Sequence, residues 1–268
     1  MIKSSFGILS YLIFLVLAVS CKSSPPSPSS VSPAQVKASV EYGEGFVLAQ
    51  SDLAPFTPEA IDKCVHVMQM PVEKEALADP TNFGLRDSAD YLGRKILSKP
   101  KIIVIHETVM GEKDTIALFQ AHHPRDEDQV SYHMLISRDG ALVRIVPDNN
   151  RAYGAGMSHF MGSTLRTKKG SLGSINNIAL HISLVSPAGY NNSDSHSGYT
   201  QEQYYTLAAQ VLNWQIRYGI PMSRVTTHYA VDRSHSRYDP RSFHWDKFDT
   251  VHQKYAALCG AEAFQQPA

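Results

Sequence analysis

Lys101-Ile102-Ile103-Val104-Ile105-His106-Glu107-Thr108 is the stretch on which the reading of this chain turns. After Pro100 and Lys101 the run 102–105 is apolar without interruption, so as a strand it has no polar face to leave in water and must be covered on both sides. A strand of that kind lies inside a sheet with helices above and below. It ends abruptly on a polar trio, and the end of a buried strand is a usual place for a functional site.

Working outward, a helix is predicted over Asp114–His122, with Ile116, Ala117, Leu118 and Phe119 on its apolar side. The apolar runs 130–137 and 141–146 flank Arg138-Asp139-Gly140, whose Asp-Gly step predicts a hairpin turn. Residues 178–185 form another strand, between Asn176-Asn177 and Pro187, which brings the sheet to at least four strands. The clearest helix runs from Thr200 to Tyr218: Thr200 and Gln203 make a capping box, Tyr204, Leu207, Ala208, Val211 and Leu212 line one face, and Gly219 and Pro221 stop it. A last helix is expected at about 246–258, after a His-rich loop. The expected fold class is therefore α/β (α+β), a central mixed sheet flanked by helices.

The N-terminus reads differently. Residues 1–20 hold one Lys, an apolar run from Phe6 to Ala18 and a small-residue boundary before Cys21, the layout of an export signal rather than of a spanning helix. Ala18-Val19-Ser20-Cys21 resembles a bacterial lipoprotein processing box, which implies a membrane anchor through lipidated Cys21 at the periplasmic face of the outer membrane. Residues 21–40, rich in Ser and Pro, predict a tether, and 41–268 a single domain expected to act as a monomer. The charge balance of 25 basic against 25 acidic residues leaves no electrostatic footprint for nucleic acid. Cys64 and Cys259 have no metal-spaced neighbours, and in an oxidising compartment they are free either to pair or to stay reduced.

Two imidazoles and one carboxylate suffice for a catalytic Zn²⁺ site with an open fourth position. His106 at the strand end, and His228 with Asp239 on a loop between two helices, are candidates. With 12 histidines in the chain, spacing alone does not select them. The segments IIVIHETVM, VSYHMLISRDGALVRIVPDNNRAYGAGMS, NNIALHISLVSP and THYAVDRSHSRYDPRSFHW, in that order, do carry a resemblance. Together they resemble the zinc-dependent N-acetylmuramoyl-L-alanine amidases of the type-2 amidase family, which includes phage lysozyme-type amidases and peptidoglycan recognition proteins.

The resemblance implies that His106, His228 and Asp239 hold Zn²⁺, and that the substrate is peptidoglycan or muropeptides. The bond cut would be the amide between the lactyl group of N-acetylmuramic acid and L-Ala of the stem peptide. It implies that Tyr132 polarises water or carbonyl. Arg237 stands where many members place an oxyanion-stabilising Lys, and its planar fork is not equivalent to an ammonium.

The pattern also departs from the family. Ser183 occupies the place of a Glu general base, and a hydroxyl that barely ionises cannot serve as one. His181, two residues earlier on the same sheet face, is the substitute candidate, and His235 is another possible proton carrier. Gly154 replaces a His in the family's Ala-Trp-His-Ala-Gly, which suggests a lost donor near the groove. These changes leave open a catalytically weak or inactive peptidoglycan-binding protein.

Overall fold

The Ile102–Glu107 run forms β3 with all six residues buried. It takes a parallel neighbour on each side, β7 (Ala179–Leu184) and β8 (Val225–Thr227). The computed structural model describes residues 53–161, 164–189 and 193–265; the predicted signal segment and tether, with Cys21, lie outside them. β4 (Met134–Ile136) runs parallel to β7, and β5 (Leu142–Arg144) returns antiparallel to β4. The turn between them needs Gly140: its φ is +83°, and an added Cβ would press on Glu202 at 2.9 Å. With β1 (Lys74–Glu75) parallel to β5, the sheet has six strands in the order β1-β5-β4-β7-β3-β8. A two-stranded ribbon, β2 (Phe83–Leu85) with β6 (Asn150–Ala152), stands apart from it.

Side-chain alternation divides the sheet into two buried faces. Ile103, Ile105, Leu180, Ile182 and Leu184 meet Tyr204, Leu207, Val211 and Trp214 of α3 (Gln201–Tyr218) and Phe248 and Val251 of α5 (Trp245–Cys259). Ile102 and Val104 meet Ala155, Leu165, Ile175 and Val231 on the opposite face. Val231 closes the short α4 (His228–Val231), and Phe119 of α2 (Glu112–Gln120) packs on Leu135 and Val143. The expected mixed sheet with helices on both faces is what forms.

α3 is buried on almost every side because a second helix covers its back. Ala209, Leu212 and Ile216 pack against Ile61 and Cys64 of α1 (Pro58–Val67), and Cys64 is bonded to Cys259 of α5 with Cα atoms 5.1 Å apart. Thr200 accepts from the Gln203 amide and Gln203 Oε1 accepts from the Thr200 amide, both at 3.1 Å, and Gly219 ends the helix at φ +70°.

Three expectations are corrected in detail. The helix expected at 114–122 begins two residues earlier, where Glu112 and Asp114 both sit in its favourable first turn. The strand expected over 130–137 shrinks to three residues. Ser131 and His133 direct their amides to Tyr153 and His181 instead of extending the hairpin ladder. His228 is not on a loop but is the first residue of α4, capped by Thr227.

Candidate metal centre and cleft

Parallel register builds the centre. Ile105 on β3 pairs with Thr227 on β8, so the next residue of each chain segment, His106 and His228, emerges side by side at the strand ends. Their rings lie 4.6 Å apart. The amide of Tyr229 donates to the carbonyl of Asp239 at 2.9 Å, which folds the 232–239 loop back over α4. Asp239 then sits with Oδ1 2.9 Å from His228 Nδ1 and Oδ2 3.3 Å from His106 Nδ1. The chemistry therefore lies at the C-terminal ends of parallel strands, where open α/β sheets bind ligands.

These atoms are close but not aligned for hydrogen bonding: His106 Nδ1, His228 Nδ1 and Asp239 Oδ2 are all buried without a hydrogen-bond partner. One ligand atom from each residue falls within a 4.8 Å cluster. Buried polar atoms left unmatched are costly, and three converging donors of electron pairs are what a cation satisfies. Burial, and then the neighbouring His228, hold His106 down to about 4, so it is neutral with a lone pair to give. Burial alone would raise the Asp239 carboxyl, but the two histidines outweigh it and keep it below the usual carboxylate range. Two imidazoles and one carboxylate fit the donor set of an open zinc site.

The loop that delivers Asp239 is held by another carboxylate. Asp232 accepts from the amides of Ser234, Ser236 and Arg237 at 2.9–3.1 Å and from Ser234 Oγ at 2.7 Å. Partial burial raises Asp232, and these donors overcome that and pull it down to about 2. Arg237 is exposed at the mouth of the cleft next to Asp239. His235 is exposed on the same loop at φ +56° and does not line the cleft.

Tyr132 stacks on His106 with ring centres 4.4 Å apart and meets Phe119 edge-on at 5.3 Å. Burial and the Asp239 charge raise its hydroxyl, which therefore stays protonated and has a hydrogen to donate. His181 and Ser183 lie elsewhere. Both are fully buried on β7 and neither lines the cleft. Ser183 pairs in register with His106, and its hydroxyl has no hydrogen-bond partner. His181 Nδ1 lies 2.9 Å from His106 Nε2, on the side of that ring away from Asp239.

Sequence reasoning missed a buried ion pair beside the centre. Glu107 turns its carboxylate to Arg241 Nε, to His196 Nε2 at 2.8 Å, to Tyr199 Oη at 2.9 Å and to Ser186 Oγ at 3.3 Å. His196 Nδ1 accepts from the Gly198 amide at 3.0 Å, which leaves the proton on Nε2 for Glu107. One partner adjoins His106 and the other follows Asp239 by two residues, so the pair ties together the two segments that bring these ligands. No local pattern announces a contact 134 residues apart.

The centre opens into a cleft of about 950 Å³. Val109 and Met110 form one wall, Asp126–Val130 another, and Arg151, Tyr153, Asn176 and Arg237 complete it.

The chain is similar to an AmpD crystal structure, with 24% identity over 68% of this chain and 93% of that one and a TM-score of 0.47. It is similar to AmiD from E. coli, solved with anhydro-N-acetylmuramic acid-L-Ala-D-gamma-Glu-L-Lys, at 20% identity, 57% coverage of each chain and a TM-score of 0.46. The endolysin LysCS from Clostridium intestinale URNW matches at 19% identity over 68% of this chain and 95% of its own, with a TM-score of 0.40. Among curated proteins none matches. The profile of the N-acetylmuramoyl-L-alanine amidases matches residues 97–242, from the approach to β3 to the loop beyond Asp239. That is more than half of the chain and includes every element of the centre, so the chain belongs to the N-acetylmuramoyl-L-alanine amidase family.

Proposed function

We propose that this protein is a zinc-dependent amidase of peptidoglycan, cutting the amide between the lactyl group of N-acetylmuramic acid and L-Ala of the stem peptide. The observation that carries the reading is the convergence of His106, His228 and Asp239, their inward atoms unmatched, with His228 and Asp239 lining the cleft, in a member of this family. Zinc bound there supplies an acidified water and a polarised carbonyl. The chain's own residues do the rest. Tyr132 donates its hydroxyl at the face of His106, and Arg237 brings positive charge to the mouth of the site. The walls hold the sugar and the peptide on either side of the scissile bond, as orientation requires.

A second reading, a peptidoglycan-binding protein with little turnover, is favoured by one observation: Ser183 is buried away from the cleft where the family has its Glu. Purified protein incubated with muropeptides, with and without chelator, separates the two. Release of free stem peptide by mass spectrometry, abolished by chelator and restored by zinc, is the expected result. Binding without release under zinc-replete conditions overturns the enzyme reading. We further propose that Cys21 carries lipid and holds the domain at the periplasmic face of the outer membrane. Incorporation of labelled palmitate that survives Cys21→Ser would refute it.

A further inference from the structure

We infer that His181 and Gly154 together set the imidazole of His106. His181 Nδ1 accepts the Nε2–H of His106, which fixes the tautomer whose Nδ1 lone pair faces Asp239 and His228. The inference rests on reading the centre as a metal site, and it makes His181 a positioning residue rather than a base. The geometry is direct: the two nitrogens are 2.9 Å apart, and both rings are fully buried. His106 has one nitrogen toward Asp239 and the other toward His181. A nitrogen that ligates a metal carries no proton, so the proton sits on the other and needs an acceptor.

His181 is itself held in place. Its amide donates to His133 Nδ1 at 3.0 Å, and the two rings stack at 5.8 Å with planes 13° apart. With Nδ1 of His133 accepting, its proton lies on Nε2, which donates to the Asn150 carbonyl at 3.2 Å. His106, His181 and His133 thus form a packed row of imidazoles crossing the sheet from β3 through β7 to the start of β4.

Gly154 makes the row possible. A Cβ at this position would lie 2.6 Å from His181 Cγ and 2.7 Å from its Nδ1, closer than side chains pack. The space that a side chain at 154 would occupy is filled by the ring from β7. The glycine at 154 and the histidine at 181 are therefore two halves of one exchange.

The test uses the full-length protein and zinc as the probe, with affinity read by competition against a chromophoric chelator. His181→Phe keeps an aromatic ring but has no acceptor, and is expected to bind zinc roughly 10–100-fold more weakly. His181→Asn, whose amide oxygen can take the place of Nδ1, is expected to stay within about 3-fold of wild type. Gly154→Ala, which drives the ring back, should resemble His181→Phe.

In zinc-loaded wild type, ¹H–¹⁵N spectra of labelled histidines should place the His106 proton on Nε2, a readout that needs no variant. Equal zinc affinity in wild type and His181→Phe, equal losses in the Phe and Asn variants, or a His106 proton on Nδ1 would each overturn the assignment. If wild type binds zinc and the variants match it, only the role of His181 falls. If wild type takes up no zinc, the reading of the centre falls with it.

Discussion

Replacing Arg241 by Met tests whether the ion pair with Glu107 holds the metal centre together. Both side chains are essentially out of water, 2% exposed for Arg241 and 0% for Glu107. In Arg241→Met the Glu107 carboxylate keeps its donors from His196, Tyr199 and Ser186 but loses the guanidinium that offsets its charge. Removing one member of a buried pair costs about 3–5 kcal/mol, chiefly from the charge left behind. For a domain of this size that corresponds to a fall of roughly 6–20 °C in Tm. Neutralising the partner as well, in Glu107→Gln with Arg241→Met, should recover at least ~1 kcal/mol, since no uncompensated charge remains. Denaturant titration of the metal-free single and double variants measures this coupling, and zinc titration of the same proteins shows whether the Asp239 segment has loosened. Additive losses in the double variant, or zinc binding unchanged in Arg241→Met, would refute the reasoning.

Tyr132→Phe keeps the ring stacked on His106 and removes only the hydroxyl, so kcat should fall by about 10²-fold with zinc affinity unchanged; a change confined to KM would count against a role in the reaction. Cys64→Ser with Cys259→Ser opens a covalent loop of 195 residues and should lower stability by roughly 2–5 kcal/mol, read from denaturation midpoints; midpoints insensitive to the change or to reductant would count against the bond. His252 is 2% exposed, its ring 2.6 Å from Gln215 Oε1, and burial lowers it to about 4. Because the unfolded chain takes up this proton at roughly 6.5 and the folded one only near 4, stability should be full above that window and fall by ~3 kcal/mol as pH drops through it. His252→Leu should flatten that part of the pH–stability curve, and an unchanged slope would show that other groups carry it.

Where one short segment contains its own physical reason, the fold could be read directly from sequence. Thr200 and Gln203 specify a helix start, Gly219 an end, and Asp139-Gly140 a turn, each through bonds made within a few residues. β8 was out of reach because three residues carry no periodicity; only its place beside β3 makes it a strand. α1 (Pro58–Val67) gains its packing only from α3 and α5, both far along the chain. At the site, motif order selected His106 and His228 from a dozen histidines, and Asp239 beside them, which spacing did not. His181 was placed on the correct strand face, but its partner depends on which ring fills the gap above Gly154. That is a matter of volume across segments 27 residues apart, and a linear pattern does not express volume.

The bond between α1 and α5 also determines how the domain bears a pull. Leu53 and Phe56, the first described residues with partners, hydrogen-bond to Gly219 and Ile216, and Phe264 near the other end packs in the same cluster behind α3. Tension applied to the chain ahead of Leu53 therefore enters a patch on the far side of α3 from the sheet. It passes from α1 through sulfur into α5 and bypasses the hydrogen bonds of β3, β7 and β8. In a pulling experiment the oxidised domain should yield first by peeling of the residues before Cys64. The strand ends that carry His106 and His228 remain in register until the disulfide is reduced.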